Sequence, residues 1–126
     1  MTVVFALLLG WFAGPGWAST VPLRDCGNCI PHHTLAHLPP GGVVIQLHAY
    51  PEEKRFRPKR MSWPLRVRLR DVTAGFEGVP ARYGVVQRSA LVGRREVFLW
   101  VWFGRAHPTA AQLQRANAML ARATIR

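Results

Sequence analysis

The sequence contains few acidic residues, few lysines and few cysteines. Six Asp and Glu stand against seventeen Lys and Arg, which gives a formal net charge of +11 at pH 7. Only two of the basic residues are lysines, and two cysteines occur in 126 residues. A small disulfide-rich scaffold needs more cysteine than this. The composition therefore predicts a strongly basic protein that a hydrophobic core, rather than a disulfide framework, must hold together.

Motifs of catalysis are also missing. The sequence has no nucleophile elbow, no phosphate-binding glycine loop and no H-E-x-x-H pair. The acidic residues Glu52 and Glu53 are adjacent and stand at the start of a basic stretch. His48 and His107 stand alone in the sequence. The protein is therefore predicted not to be an enzyme.

The first eighteen residues carry no charged side chain, and residues 3–13 form an apolar run of eleven. Small residues, Gly16 and Ala18, occupy positions −3 and −1 of a cleavage site after Ala18. Such a run is typical of a secretory signal and is short for a membrane-spanning helix. A signal peptide normally begins with Lys or Arg, and residues 2–18 contain neither. An uncleaved anchor and a buried first helix of a cytosolic domain therefore stay open as alternatives. Residues 1–18 are predicted to be a signal peptide or membrane anchor, and the protein to be exported, either secreted or held at the outer face of the membrane.

The remaining 108 residues are enough for one domain. Residues 19–42, rich in Pro, Gly and His, are predicted to be an irregular leader, and residues 43–126 to be the folded domain. Four segments have the composition and periodicity of strands. They are residues 43–50, 65–70, 83–92 and 96–103.

The second of these segments has the clearest alternation, with Leu65, Val67 and Leu69 predicted to face the core between three outward arginines. The last two segments flank a short turn that contains Gly93, which predicts a β-hairpin. Residues 71–82 hold two glycines and a proline and are predicted to be a loop or an interrupted segment.

A C-terminal amphipathic helix is predicted after Thr109, which with Gln112 fits a capping box. The preceding strand is apolar on both faces, and one face carries Phe98, Trp100 and Trp102. We expect the helix to cover this aromatic row; a ligand platform or partner surface is the alternative. The predicted fold is a small α+β domain, in which an antiparallel sheet of about four strands carries the helix on one face.

The run FGRAHPTAAQLQRANAMLARATI, residues 103–125, resembles the ends of short exported proteins of high-GC bacteria, most of which have no assigned activity. In that group a strand ending in Phe-Gly leads through Pro-Ser/Thr into a closing Ala/Leu helix. The resemblance covers only the C-terminal part of the chain. It implies the export and the α+β fold, and it supplies no site residues.

A basic stretch, residues 51–70, has a net charge of +6 and contains Phe56 and Trp63. Arginine forks match phosphate and carboxylate groups, so the stretch predicts contact with anionic lipid or an acidic wall polymer. Solvated charges without a ligand, and non-specific binding of nucleic acid inside the cell, are the alternatives. No sequence-specific nucleic-acid binding is expected, because no motif of that kind occurs, and the protein is expected to be a monomer or weak homo-oligomer. The candidate residues are Lys54, Arg55, Arg57, Lys59, Arg60, Arg66, Arg68 and Arg70.

A second cluster combines a C-x2-C pair, Cys26 and Cys29, with His32, His33 and His37. Outside the cell the two thiols are expected to form a local disulfide, and no cofactor is expected. Thiolate and imidazole are also the natural ligands of zinc, although the spacing differs from that of zinc fingers. A zinc site and a thiol-redox function are therefore the alternatives.

Overall fold

The computed structural model describes residues 3–5, 12–14, 16–23, 30–53, 57–76 and 78–125. The strands are β1 (Val3–Phe5), β2 (Phe12–Gly14), β3 (Trp17–Ser19), β4 (Val43–Pro51), β5 (Thr73–Phe76), β6 (Val79–Val92), β7 (Arg95–Phe103) and β8 (Ala123–Ile125). The helices are α1 (His32–Ala36) and α2 (Ala110–Ala121), with a 3-10 turn at Leu69–Asp71.

Six strands form one antiparallel sheet in the order β2-β3-β4-β7-β6-β5, and β1 pairs with β8 in a separate antiparallel ladder. The predicted small α+β fold with an antiparallel sheet is confirmed, with more strands than the four expected. Half of the predicted signal segment lies outside the described residues. Val3–Phe5 and Phe12–Gly14 form β1 and β2, and the cleavage of residues 1–18 stays a prediction. Of its described residues, Trp17 and Ala18 belong to β3, which pairs with β4.

The central strands are those that the alternation predicted. β7 lies between β4 and β6 and pairs with β4 along nine residues and with β6 along nine. The hairpin of β6 and β7 turns at Gly93, whose φ of 60° belongs to the left-handed region that two-residue turns require. The strand at residues 43–50 and the hairpin are therefore confirmed.

One face of this sheet, the helix face, is covered by α2. Thr109 accepts a hydrogen bond from the Gln112 N–H at 3.2 Å and donates its own N–H to Gln112 Oε1 at 2.9 Å, which confirms the capping box. Ala116, Met119 and Leu120 then lie buried in the main core. Their partners are the inward residues of the central strands: Val43, Ile45, Leu47, Ala49, Val86, Ala90, Val97, Leu99, Val101 and Phe103.

The aromatic row lies on the opposite face, so the expectation that α2 covers it was wrong. Both faces of β7 are apolar, and the sequence held nothing to show which face the helix would take. Trp102 is instead covered by the segment around α1, with Leu35 and Leu38 in the same buried cluster. The Tyr83 hydroxyl donates to the Leu35 carbonyl at 2.7 Å and fixes α1 to the sheet.

The prediction of a strand at residues 65–70 was wrong. Leu65 and Val67 are buried as expected, but Leu69 is 54% exposed and begins the 3-10 turn. The Asp71 carboxylate accepts the Arg68 N–H at 2.8 Å and helps to turn the chain there. Alternation of apolar and charged residues shows that an extended segment has one buried side. Such a segment does not have to pair with a strand of the sheet.

Two segments that were predicted to be irregular contain regular structure. Residues 71–82 hold β5 and the start of β6, which form a second antiparallel hairpin. Residues 19–42 include the end of β3 and the five-residue helix α1. Gly78 lies in the turn between β5 and β6, whereas Gly75 lies within β5, where the register of the pair shifts, and Pro80 lies within β6.

Candidate functional site

Residues 57–71, which we call the strap, carry most of the predicted basic site. The strap begins beside β6, where Leu91 donates its N–H to Lys59 O at 3.0 Å and accepts the Met61 N–H at 2.9 Å. It then crosses the helix face, where Leu65 and Val67 join the core cluster. Because side chains of an extended chain alternate, the residues between them point outward.

Two side chains hold the strap in place. Asn117 of α2 accepts the Val67 N–H at 2.7 Å and donates to the Val67 carbonyl at 2.9 Å, so that an amide side chain replaces a neighbouring strand. Arg88 of β6 donates to the Arg66 carbonyl from the other side. The backbone that carries the strap arginines is therefore fixed to both α2 and the sheet.

The strap cations are exposed to solvent. Among the described residues one ion pair occurs, between Arg88 and Asp71 at 3.8 Å, and it involves none of the predicted cations. Six of the eight predicted residues lie on the strap; Lys54 and Arg55 lie outside the described residues. The six exposed cations are Arg57, Lys59, Arg60, Arg66, Arg68 and Arg70.

The structure separates the histidines of the second cluster. The rings of His33, in α1, and His37, which caps the C-terminal end of α1, have centroids 5.0 Å from each other. Both line a cavity of about 310 Å³ with Val21 and Pro22. His32 instead points to the β5–β6 turn, where its Cε1 would lie 3.9 Å from a Cβ built at Gly78.

Two imidazoles are fewer than a structural zinc site requires. Within the described ranges no group of three or more His, Cys, Asp and Glu could hold a metal ion. Cys26 and Cys29 lie outside the described residues, and so do the predicted disulfide and its redox alternative. The zinc alternative therefore stays a prediction.

The aromatic face is only partly covered. Trp100 stacks on Trp102 with centroids 5.5 Å apart and meets the edge of Phe76 at 5.2 Å, while Tyr50 meets Phe98 edge-on at 5.8 Å. Tyr50 is 44% and Phe76 41% exposed. The aromatic row therefore has a buried end at Trp102 and a half-open end at Phe98, beside exposed Tyr50. Only the end at Trp102 is ordinary hydrophobic core.

His48 lies at the half-open end of this face, stacked on Tyr50 with ring centroids 6.2 Å apart. Burial lowers the pKa of His48 below its ordinary value of 6.5. The imidazole is therefore neutral at pH 7, and it adds no positive charge to this face. The cationic character of the molecule resides in its arginines and lysines.

Arg94 and Arg95 follow Gly93 in the predicted hairpin turn, and the sequence predicts no functional role for them. In the structure they line a cavity of about 420 Å³ together with Trp63 and Ile125, which lie far from them in the sequence. The Arg95 Nη1 atom is buried and has no hydrogen-bond partner among the described residues. The sequence feature that could have indicated this cavity is the pair of arginines at the hairpin turn. Whichever of them begins the second strand places its side chain on one face of the sheet.

Comparisons with known proteins found no family model, no curated protein and no solved structure that matches the chain. Neither helix in the described part of the chain combines the length and the apolar character needed to cross a bilayer.

Proposed function

We propose that the protein is an exported, non-enzymatic domain that binds anionic components of the cell envelope through its strap arginines. The observation that carries the proposal is the exposure of six strap cations with no carboxylate in salt-bridge distance among the described residues. Arg66 and Arg68 extend from a backbone that Asn117 and Arg88 hold in place. A charged surface on a fixed backbone loses little conformational freedom when it meets a ligand.

The spacing of the strap suits a repeating anion. Alternate side chains of an extended chain are about 7 Å apart, because each residue advances the chain by about 3.3 Å. Each guanidinium can form two parallel hydrogen bonds to one phosphate or carboxylate. Lipid headgroups in a membrane and carboxylates along an acidic polymer both offer arrays of such groups.

Replacing Arg66, Arg68 and Arg70 together by glutamine should weaken binding to anionic vesicles by about 100-fold at low salt, since each basic residue near an anionic surface contributes about 1 kcal/mol. Co-sedimentation with phosphatidylglycerol-containing vesicles at several salt concentrations measures this, and the variant should also show a shallower salt dependence. The matched control replaces Arg82, Arg115 and Arg122, which are exposed elsewhere and remove the same charge. Equal losses in the two triple variants would show that net charge alone drives binding and would contradict the role of the strap.

Export and the zinc alternative are tested by one measurement, the intact mass of the protein isolated from its own host under native and denaturing conditions. We expect a chain of residues 19–126 that is two hydrogens lighter than the reduced form, because cleavage follows Ala18 and Cys26 pairs with Cys29. Retention of residues 1–18 would contradict cleavage. A native species that carries one zinc ion with reduced thiols would contradict the disulfide and support the metal alternative.

A further inference from the structure

The turn between β6 and β7 borders a cavity of about 420 Å³, a size typical of small-molecule sites. Its walls come from three separate parts of the chain: the strap, the hairpin turn and the last strand. Most of the wall is apolar, and its charged members are two neighbouring arginines. The lining residues are Trp63, Val92, Gly93, Arg94, Arg95, Ala123, Thr124 and Ile125.

Arg95 is the unusual member of this wall. Its side chain is partly buried, and its Nη1 atom is inaccessible to solvent and has no hydrogen-bond partner in the described part of the chain. Burying a guanidinium N–H without an acceptor costs free energy, and native proteins seldom leave such groups unsatisfied. An acceptor supplied by a ligand would remove this cost.

The acidic residue next to Arg95 in the sequence, Glu96, does not supply a hydrogen-bond acceptor for the Arg95 guanidinium. Glu96 follows Arg95 in β7, and successive side chains of a strand point to opposite faces. Its buried carboxylate accepts the Glu53 N–H at 3.3 Å. Among the described residues that line the cavity on the helix face, the charged side chains are therefore those of Arg94 and Arg95.

A third guanidinium reinforces this charge. Arg60 of the strap donates from Nη1 to the Gly93 carbonyl at 2.8 Å, which brings it to the same turn. Arg94 is exposed beside it. Three arginines thus meet at one hairpin turn, and none of them forms an ion pair among the described residues.

We propose that this cavity binds the phosphate group of an amphiphilic anion. The phosphate would accept hydrogen bonds from Arg95 and Arg94, and the apolar part of the ligand would lie against Trp63 and Ile125. This site goes beyond the surface binding proposed above, since it uses neither Arg66, Arg68 nor Arg70. The phosphate could belong to a lipid headgroup or to a soluble phosphate monoester.

Because β8 lines the cavity and pairs with β1, which cleavage after Ala18 would remove, the test uses the chain of residues 1–126. This chain is titrated with octyl phosphate and with inorganic phosphate, and binding is followed by calorimetry and by the fluorescence of Trp63, assigned with a Trp63→Phe variant. We expect octyl phosphate to bind at least tenfold more tightly than inorganic phosphate, because only octyl phosphate contacts the apolar wall. Arg95→Met should weaken binding of octyl phosphate at least 30-fold. The control, Arg115→Met, removes an exposed arginine of α2 and should change the affinity less than twofold.

Thermal unfolding provides an independent readout of the same variant. Arg95→Met removes the unsatisfied buried N–H and keeps an apolar chain of similar length, so the ligand-free variant should melt a few degrees higher than the wild type. If this variant does not fold, Arg95→Lys keeps the charge without the planar fork and should bind about tenfold more weakly. Loss of binding together with a gain in melting temperature would support a ligand site rather than a structural role.

The proposal is overturned if octyl phosphate does not bind at millimolar concentration or if Arg95→Met binds it as tightly as the wild type. Phosphatidylglycerol vesicles separate the two sources of phosphate: a headgroup ligand requires that Arg95→Met also weakens vesicle binding, and a soluble monoester requires that it does not. The strap proposal fails separately, if the triple variant at Arg66, Arg68 and Arg70 binds vesicles normally.

Discussion

Replacing Gly104 by alanine is expected to destabilise the protein by at least about 3 kcal/mol, the upper end of what overpacking usually costs. A Cβ at this position would lie 1.8 Å from the Pro39 carbonyl oxygen and 2.7 Å from the Pro39 carbonyl carbon. Both contacts are with backbone, so no side-chain rotation relieves them. Gly104 also donates its N–H to Gly42 O at 3.0 Å, which holds the two segments together.

In the variant, the added Cβ would push apart two segments that are in contact in the wild type: the chain before β4, at Pro39, and the connection between β7 and α2, at Gly104. In a domain of about 100 residues the expected loss lowers the melting temperature by more than ten degrees. Thermal and urea unfolding measure it, with Gly41→Ala as the control, because a Cβ at Gly41 meets no heavy atom within 4 Å. The control should change the free energy of unfolding by less than about 0.5 kcal/mol. A Gly104→Ala protein as stable as this control would show that the close approach to Pro39 is not required.

The parts of the fold that the sequence predicted correctly are those that local patterns determine. The capping box of Thr109 and Gln112 needs only three residues of spacing, and the hairpin at Gly93 needs only a turn between two apolar segments. The choice of sheet face for α2 depends instead on contacts between residues far apart in the chain. The strand at residues 65–70 was mistaken for the same reason, since the backbone partner of Val67 is a side chain of α2 fifty residues later.

The candidate sites follow the same rule. Exposure of the strap arginines could be predicted, because arginine alternating with apolar residues on an extended segment points to solvent. The cavity at Arg95 could not, because Trp63, Arg95 and Ile125 meet only after the strap, the hairpin and the last strand have assembled. Local patterns assign Arg95 only to the turn at Gly93, and they give no sign that its guanidinium would be left without an acceptor among the described residues.

Replacing Asn117 by alanine should loosen the strap and cost about 2–6 kcal/mol, since two backbone groups of buried Val67 lose their partners and each unsatisfied group costs about 1–3 kcal/mol. The matched control is Gln114→Ala, which removes an exposed amide from the same helix. Urea unfolding should show the loss in the first variant and little change in the second.

The same variant separates the shape of the strap from its charge. Asn117→Ala leaves every arginine in place, so a surface that acted through net charge alone would bind anionic vesicles as before. If the fixed backbone of the strap matters, binding at moderate salt should fall several-fold under conditions where the variant remains folded. If Asn117→Ala loses stability but binds vesicles as before, the arginines still bind the ligand, but their fixed arrangement is not required for binding. A parallel fall in both would show that α2 positions the charged surface through a single amide.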